Sequence, residues 1–336
     1  MGRASATSFQ CALGVLQATA RPTFGSSPVG NRVLYWIVPR SAERSVDVNG
    51  ITLRVTEAGK PGNPVVVLAH GFPELAYSWR HQIGPLADAG YHVLAPDQRG
   101  YGGSSAPAAV EDYDIHALTA DLVGLLDDAG AARAAFVGHD WGALVVWQTA
   151  LLHPERVAAV AGLSVPPIPR PRSTPTKRWR EKFGADFYML QFQEPGRADA
   201  QMAADPHATM RSMFTGIADP AAPLPAWITE DELAHYVREF SRTGFTGALN
   251  WYRNYDRNWE TTPQLAGARI TAPALFIGGT ADPIKDTMAP ERATEVVTGP
   301  YRQEMIEGAG HWIQQDSATE VNRILLEFLD GLELSR

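Results

Sequence analysis

Three residues of this 336-residue chain stand in settings that covalent chemistry uses. Asp140 lies in Phe136-Val137-Gly138-His139-Asp140-Trp141-Gly142, after an apolar run and before a helical pattern from Ala143 to Leu152. Gly138 and Gly142 flank it at the spacing of a sharp strand-to-helix turn that lifts one side chain above a sheet. Such a turn strains the backbone and leaves no room for Cβ atoms, which is why glycines flank it. Serine is the commonest residue at the apex; here it is a carboxylate. At a helix N-terminus the dipole and the free N–H groups keep that carboxylate ionised, as a nucleophile requires. Taken alone, a plain N-cap aspartate is the competing reading. Asp282, in Gly278-Gly279-Thr280-Ala281-Asp282-Pro283, offers an acid just past another strand, where α/β sites form. His311, in Gly308-Ala309-Gly310-His311-Trp312, follows the next strand and is alone among nine histidines in such a setting.

These residues need a scaffold, and the apolar pattern supplies one. Val65 to Ala69, Tyr91 to Ala95 and Ala134 to Val137 are continuous apolar runs of the kind buried on both faces of a parallel sheet. Helical patterns fall between them, notably Ile115 to Ala129 with Leu118, Leu122, Leu125 and Leu126 at turn spacing. Ahead of these, Val46 to Thr56 reads as a hairpin turning at Asn49-Gly50. The alternation stops at Ser164. Val165-Pro166-Pro167-Ile168-Pro169-Arg170-Pro171 cannot lie inside a helix or a central strand. Some 95 helix-like, aromatic-rich residues follow before strand character returns at Ala274 to Ile277 and Tyr301 to Ile306, with a last helix near Thr319 to Leu329. The pattern predicts a doubly wound α/β core split by a helical insertion.

In that scaffold, nucleophile, acid, histidine is the chain order of the α/β-hydrolase fold. His70-Gly71-Phe72-Pro73-Glu74 comes straight after the buried strand Val65 to Ala69, where this fold places half of an oxyanion hole. The candidate donors are the N–H groups of Phe72 and of Trp141, the residue after the nucleophile. His70, Gly71 and Pro73 are expected to support the loop, and Pro73 is a candidate for a cis peptide.

Composition narrows the function classes. A net charge of −8 argues against general nucleic-acid binding, which needs a basic footprint. Cys11 is the single cysteine, which excludes an internal disulfide and a cysteine-based metal site and fits a reducing cytoplasm. No run reaches the roughly 18 to 20 apolar residues of a membrane span. Residues 4 to 20 lack charge and end in Ala18-Thr19-Ala20, faintly like a signal-peptide cleavage site, but Ser5, Thr7, Ser8 and Gln10 leave only Cys11 to Leu16 apolar. A cytoplasmic location is therefore expected over export. Nothing in the motifs calls for a cofactor or a metal.

The chain resembles the α/β-hydrolase-fold epoxide hydrolases of the soluble type. The resemblance rests on His70–Glu74, Ser78-Trp79-Arg80, Asp97-Gln98-Arg99-Gly100-Tyr101-Gly102, Gly138–Gly142, Gly279–Asp282 and Gly310-His311-Trp312. Two motifs of the insertion are more diagnostic: Tyr188-Met189-Leu190-Gln191-Phe192-Gln193-Glu194-Pro195-Gly196 and Leu249-Asn250-Trp251-Tyr252-Arg253-Asn254. It covers roughly residues 44 to 331. It implies a mostly parallel sheet with helices on both faces, a core of residues 43–164 and 263–336, a helical cap of residues 165–262, and an N-terminal arm of residues 1–42. It also implies Asp140 as nucleophile, Asp282 as orienting acid, His311 as base, and Tyr188 and Tyr252 as the phenols that hold an epoxide oxygen. The substrates would be a small hydrophobic epoxide and water, and a homodimer through cap surfaces is a family-based expectation. Within the first motif, Gln191 would make a pocket wall more polar if it faced inward.

Two other functions compete. A dehalogenase uses the same aspartate, acid and histidine, but a halide leaving group wants N–H donors, whereas an epoxide oxygen wants acidic O–H donors; the paired tyrosine motifs favour the epoxide. A non-catalytic ligand-binding protein on the same scaffold is the reading from another class. Loss of a triad member would be its sign, and none is missing.

Overall fold

The computed structural model describes residues 41–219 and 221–332. Cys11, the Ala18-Thr19-Ala20 segment and nearly all of the arm read over residues 1–42 lie outside them. Eight strands form one sheet in the order β1-β2-β4-β3-β5-β6-β7-β8. The hairpin β1 (Ala42–Val48) and β2 (Ile51–Ala58) turns at Asn49 and Gly50, both at positive φ (44° and 75°). These two strands and the β2–β4 pair are antiparallel. From β4 (His92–Pro96) through β3 (Val65–Ala69), β5 (Ala134–His139), β6 (Val157–Leu163), β7 (Ala274–Gly279) and β8 (Tyr301–Ile306) all pairs are parallel.

Both faces of the central strands are covered. In β3, Val65, Val67 and Ala69 pack into the layer that holds the helices Ile115–Asp128 and Trp141–Leu152. Val66 and Leu68 pack into the opposite layer, with the helices Arg80–Asp88 and Ala318–Asp330. That two-residue alternation, with every position apolar, explains why these strands read as unbroken apolar runs. β6 is the strand that the sequence reading did not single out. Val157-Ala-Ala-Val-Ala-Gly-Leu163 is rich in small residues of low strand propensity. The reason for the small residues is packing. A Cβ on Gly162 would sit 2.4 Å from Cζ2 of the Trp147 indole, on the helix that follows the elbow.

Seven helices among the described residues, from Pro175 to Thr261, lie between β6 and β7. They are tied to the core by polar contacts at defined points. Arg80 Nε donates to Glu232 Oε1 at 2.8 Å, and Trp251 Nε1 donates to the Arg99 carbonyl at 3.0 Å. Asn254 Nδ2 donates to the Val110 carbonyl at 2.6 Å, and Asn258 Oδ1 accepts from the Ile115 N–H at 2.8 Å. The helix Glu230–Thr243 opens on a capping box, Thr229 with Glu232, so one glutamate both starts the helix and pairs with Arg80. No helix among the described residues is long and apolar enough to cross a membrane.

Candidate active site

β5 ends at His139, and the next residue turns sharply into the helix Trp141–Leu152. Asp140 sits at φ 51°, ψ −117°, a conformation that costs of order 1–3 kcal/mol and persists only when its surroundings enforce it. Here they do. A Cβ on Gly138 would lie 2.2 Å from the Gly142 carbonyl oxygen, and one on Gly142 would lie 2.0 Å from the Ala69 carbonyl oxygen. The elbow is thus jammed against the end of β3, and the Asp140 side chain is driven out over the sheet.

The loop after β3 meets it there. The Phe72 N–H donates to Asp140 Oδ1 at 2.8 Å. Trp141 N–H, first in its helix, has no intrahelical acceptor and follows the nucleophile directly in the chain. The Phe72-Pro73 peptide is cis. His70, fully buried, donates from Nδ1 to the Gly71 carbonyl at 2.9 Å and accepts the Gln98 N–H at Nε2 at 3.0 Å, which links this loop to the one after β4. Gly71 passes so close that a Cβ there would lie 2.5 Å from that of Asp140.

Asp282, past the end of β7, accepts the Ile284 N–H at Oδ1 (2.9 Å) and the His311 Nδ1–H at Oδ2 (3.0 Å). That tautomer turns Nε2 toward Asp140, whose Oδ2 lies 3.6 Å away, an ion-pair distance too long for a direct hydrogen bond. Burial alone would lower the His311 imidazolium pKa, but the charge of Asp282 and the nearby Asp140 carboxylate hold it well above its ordinary value. Burial would raise both carboxyls. Pairing with His311 holds both below their usual range, helped at Asp140 by the Phe72 N–H and at Asp282 by the Ile284 N–H.

Beneath this trio lies an arrangement that the sequence reading missed. His139, fully buried, has Nδ1 2.6 Å from Glu74 Oε2 and Nε2 2.8 Å from the His311 carbonyl oxygen. Burial would raise the Glu74 carboxyl, but His139 and the Gly71 N–H hold it down. Both ring nitrogens of His139 thus meet an oxygen partner, which fixes the ring in place. Ser164 Oγ also donates to the His311 carbonyl, at 2.7 Å. The backbone of His311 is pinned from two sides. Glu74 is completed by the Gln314 side-chain amide at 2.7 Å.

Across from Asp140 the inserted helices supply aromatic rings. Tyr252 lies 5.0 Å from Trp141 and 5.3 Å from Phe72, ring centre to ring centre. Phe192 packs edge-on against both Tyr252 (5.1 Å) and Tyr188 (5.4 Å), so one ring spaces the two phenols. Burial and then the Asp140 charge push both phenols up, which keeps them protonated donors, and among the described residues no hydrogen bond engages either hydroxyl. They face a cavity of about 1000 Å³ that also reaches Asp140, Trp141 and His311 and opens where exposed residues line it, Arg178, Lys182 and Phe183 from the inserted helices and Arg269, Thr287 and Glu295 from either side of β7. Gln191 takes no part. Its amide folds back onto the Asp186 carbonyl at 3.0 Å, away from the cavity.

The structure thus brings Asp140, His311, Phe72, Trp141, Tyr188 and Tyr252 around one apolar space, with Asp282 behind His311. Known proteins are similar to this chain over most of its length. Residues 64–318 match the family described as alpha/beta hydrolase fold. Epoxide hydrolase A of Mycobacterium tuberculosis is 62% identical over 316 residues, covering 87% of this chain and 98% of that protein. The crystal structure of epoxide hydrolase A from Mycobacterium thermoresistibile superposes with a TM-score of 0.86 at 62% identity, over 88% of this chain and all of that one. An epoxide hydrolase from Vigna radiata superposes with a TM-score of 0.81 at 37% identity, over 86% and 98% of the two chains. With the strained aspartate, the phenols above it and this breadth of similarity, the chain belongs to the epoxide hydrolases of the α/β-hydrolase fold.

Proposed function

We propose that this protein converts small hydrophobic epoxides to vicinal diols through an ester formed on Asp140. The observation that carries this reading is an ionised carboxylate on a strained elbow, facing two uncommitted phenols across an apolar cavity. An epoxide is strained, but its leaving group is an alkoxide, so its oxygen must receive hydrogen bonds as the C–O bond breaks. Tyr188 and Tyr252 supply them. Asp140 Oδ2 attacks a ring carbon, the ring C–O bond breaks, and the departing oxygen takes a phenolic proton. Oδ1, already on the Phe72 N–H, becomes the ester carbonyl oxygen.

In the second half, His311 Nε2 removes a proton from water and the hydroxide adds to the ester carbonyl. The charge gathers on Oδ1, between the N–H groups of Phe72 and Trp141. Collapse frees the diol and restores the carboxylate, and the proton on His311 returns to the phenoxide. Asp282 fixes the tautomer that makes this direction of transfer available. His70, Gly71 and Pro73 hold the Phe72 N–H in place. In this reading residues 165–262 act as a cap over a core of residues 43–164 and 263–336, and the single cysteine is in keeping with a cytoplasmic setting.

The phenols separate epoxide from halide chemistry. Single Tyr188→Phe and Tyr252→Phe variants keep the rings and their packing, so they test the hydroxyl alone. Each is expected to slow alkylation by roughly 30- to 1,000-fold, the effect of losing one oxyanion donor worth about 2–4 kcal/mol. Single-turnover tryptophan fluorescence reads that step, because Trp141 adjoins the nucleophile. Unchanged alkylation in the double Phe variant, with halide released from alkyl halides in parallel, would move the assignment to a dehalogenase.

A further inference from the structure

A third phenol faces the same cavity, and nothing in the mechanism employs it. Tyr255 follows Asn254, where the helix Thr246–Arg253 ends and the helix Tyr255–Thr261 begins. Asn254 is buried, with its amide on the Val110 and Asn250 carbonyls, so the bend is fixed. The bend sets the Tyr255 ring 4.6 Å from Trp141, 6.1 Å from Tyr252 and 4.7 Å from Trp179. It therefore stands in the arm of the cavity between Trp141, beside the nucleophile, and Trp179, next in the chain to the exposed Arg178. Burial, and after it the charge of Asp140, pushes this phenol well up, so it stays a neutral donor, and among the described residues no hydrogen bond engages it.

An uncommitted donor in an apolar passage has two partners available, water or substrate. A hydrocarbon substituent that fills the arm displaces the water and returns nothing, which leaves the donor unpaired. A substituent carrying an acceptor replaces that water. The oxirane oxygen does not reach this role, since it is served by the two phenols spaced by Phe192.

We propose that Tyr255 is a specificity-determining residue that favours epoxides carrying a hydrogen-bond acceptor, such as an ether oxygen, on the substituent lying between the oxirane and the cavity opening. The inference rests on the epoxide reading above. The test uses a pair matched in length, butyl glycidyl ether and 1,2-epoxyoctane, which differ by an oxygen in place of one methylene. Each is assayed for kcat and KM with wild-type protein and Tyr255→Phe. The two oxiranes differ in intrinsic reactivity, but that difference cancels when the ether-to-alkyl ratio of kcat/KM is compared between the two proteins. The ratio is expected to fall about tenfold in Tyr255→Phe, the scale of one neutral hydrogen bond. The fall should come mainly from the KM of the ether, with kcat for 1,2-epoxyoctane unchanged or higher. A ratio unmoved by the substitution, or a parallel loss on both oxiranes, overturns the role of Tyr255 while leaving epoxide hydrolysis standing. Wild-type protein inert toward both oxiranes would instead overturn the epoxide reading, and this inference with it.

Discussion

A His311→Gln protein mixed with excess epoxide gains the mass of one epoxide and keeps it. Glutamine has no basic nitrogen, so ring opening by Asp140 proceeds and the ester then waits for a base that is absent. Steady-state turnover should fall on the order of 10⁴-fold or more, in line with loss of a triad base. Intact mass spectrometry reads the adduct, and digestion should locate it on the peptide that holds Asp140. The electrostatics support this division of labour. In the free enzyme, burial of His311 is outweighed by two carboxylates, Asp282 and Asp140, which favour the imidazolium. Once Asp140 is an ester its charge has passed to a phenoxide and the carboxylate 3.6 Å from His311 Nε2 is lost as a support, so the His311 pKa falls when a neutral base is needed. The base-dependent limb of ester hydrolysis should therefore lie at lower pH than the His311 titration of the free enzyme. If ring opening proceeds in His311→Gln and no adduct survives, another group activates the water.

Asp140→Ala removes diol formation altogether, with an expected loss on the order of 10⁶-fold, the scale of deleting a nucleophile that acts as part of a triad. The fold should survive. Alanine keeps the Cβ that the elbow already accommodates, and the positive φ is imposed by Gly138 and Gly142 packing against their neighbours and not by the carboxylate. Alanine is preferred to asparagine, whose amide can hydrolyse back to aspartate. Circular dichroism and thermal unfolding check the fold, and chromatography of the diol checks activity. Sustained diol formation by the folded variant would remove the covalent route.

Much of this site could be read from the chain because each part of it is local. The elbow declares itself through two glycines four residues apart around an acid, and the parallel strands through runs in which every residue is apolar. What could not be read depends on distant parts of the chain meeting. His139 sits in the elbow motif, but its two partners, Glu74 and the His311 carbonyl, come from 65 and 172 residues away. The sequence offers a histidine beside a nucleophile and no sign that both ring nitrogens meet acceptors. β6 was missed because alanine and glycine give a weak strand signal, and only the Trp147 indole explains why small residues are needed there. Tyr255 escaped for a third reason. It lies one residue past the motif that ends at Asn254, and only the fixed bend at that asparagine turns it into the cavity.

The central claim is that the oxygen entering the diol comes from Asp140 and not from water. A single turnover in H₂¹⁸O, with enzyme in molar excess over epoxide, tests it directly. Water attacks the carbonyl carbon of the ester, so the bond between Asp140 oxygen and the substrate carbon leaves with the diol. The account predicts a diol free of ¹⁸O after that turnover, and ¹⁸O in the carboxylate of the peptide that contains Asp140. A first-turnover diol labelled with ¹⁸O, beside an unlabelled Asp140 peptide, would contradict it.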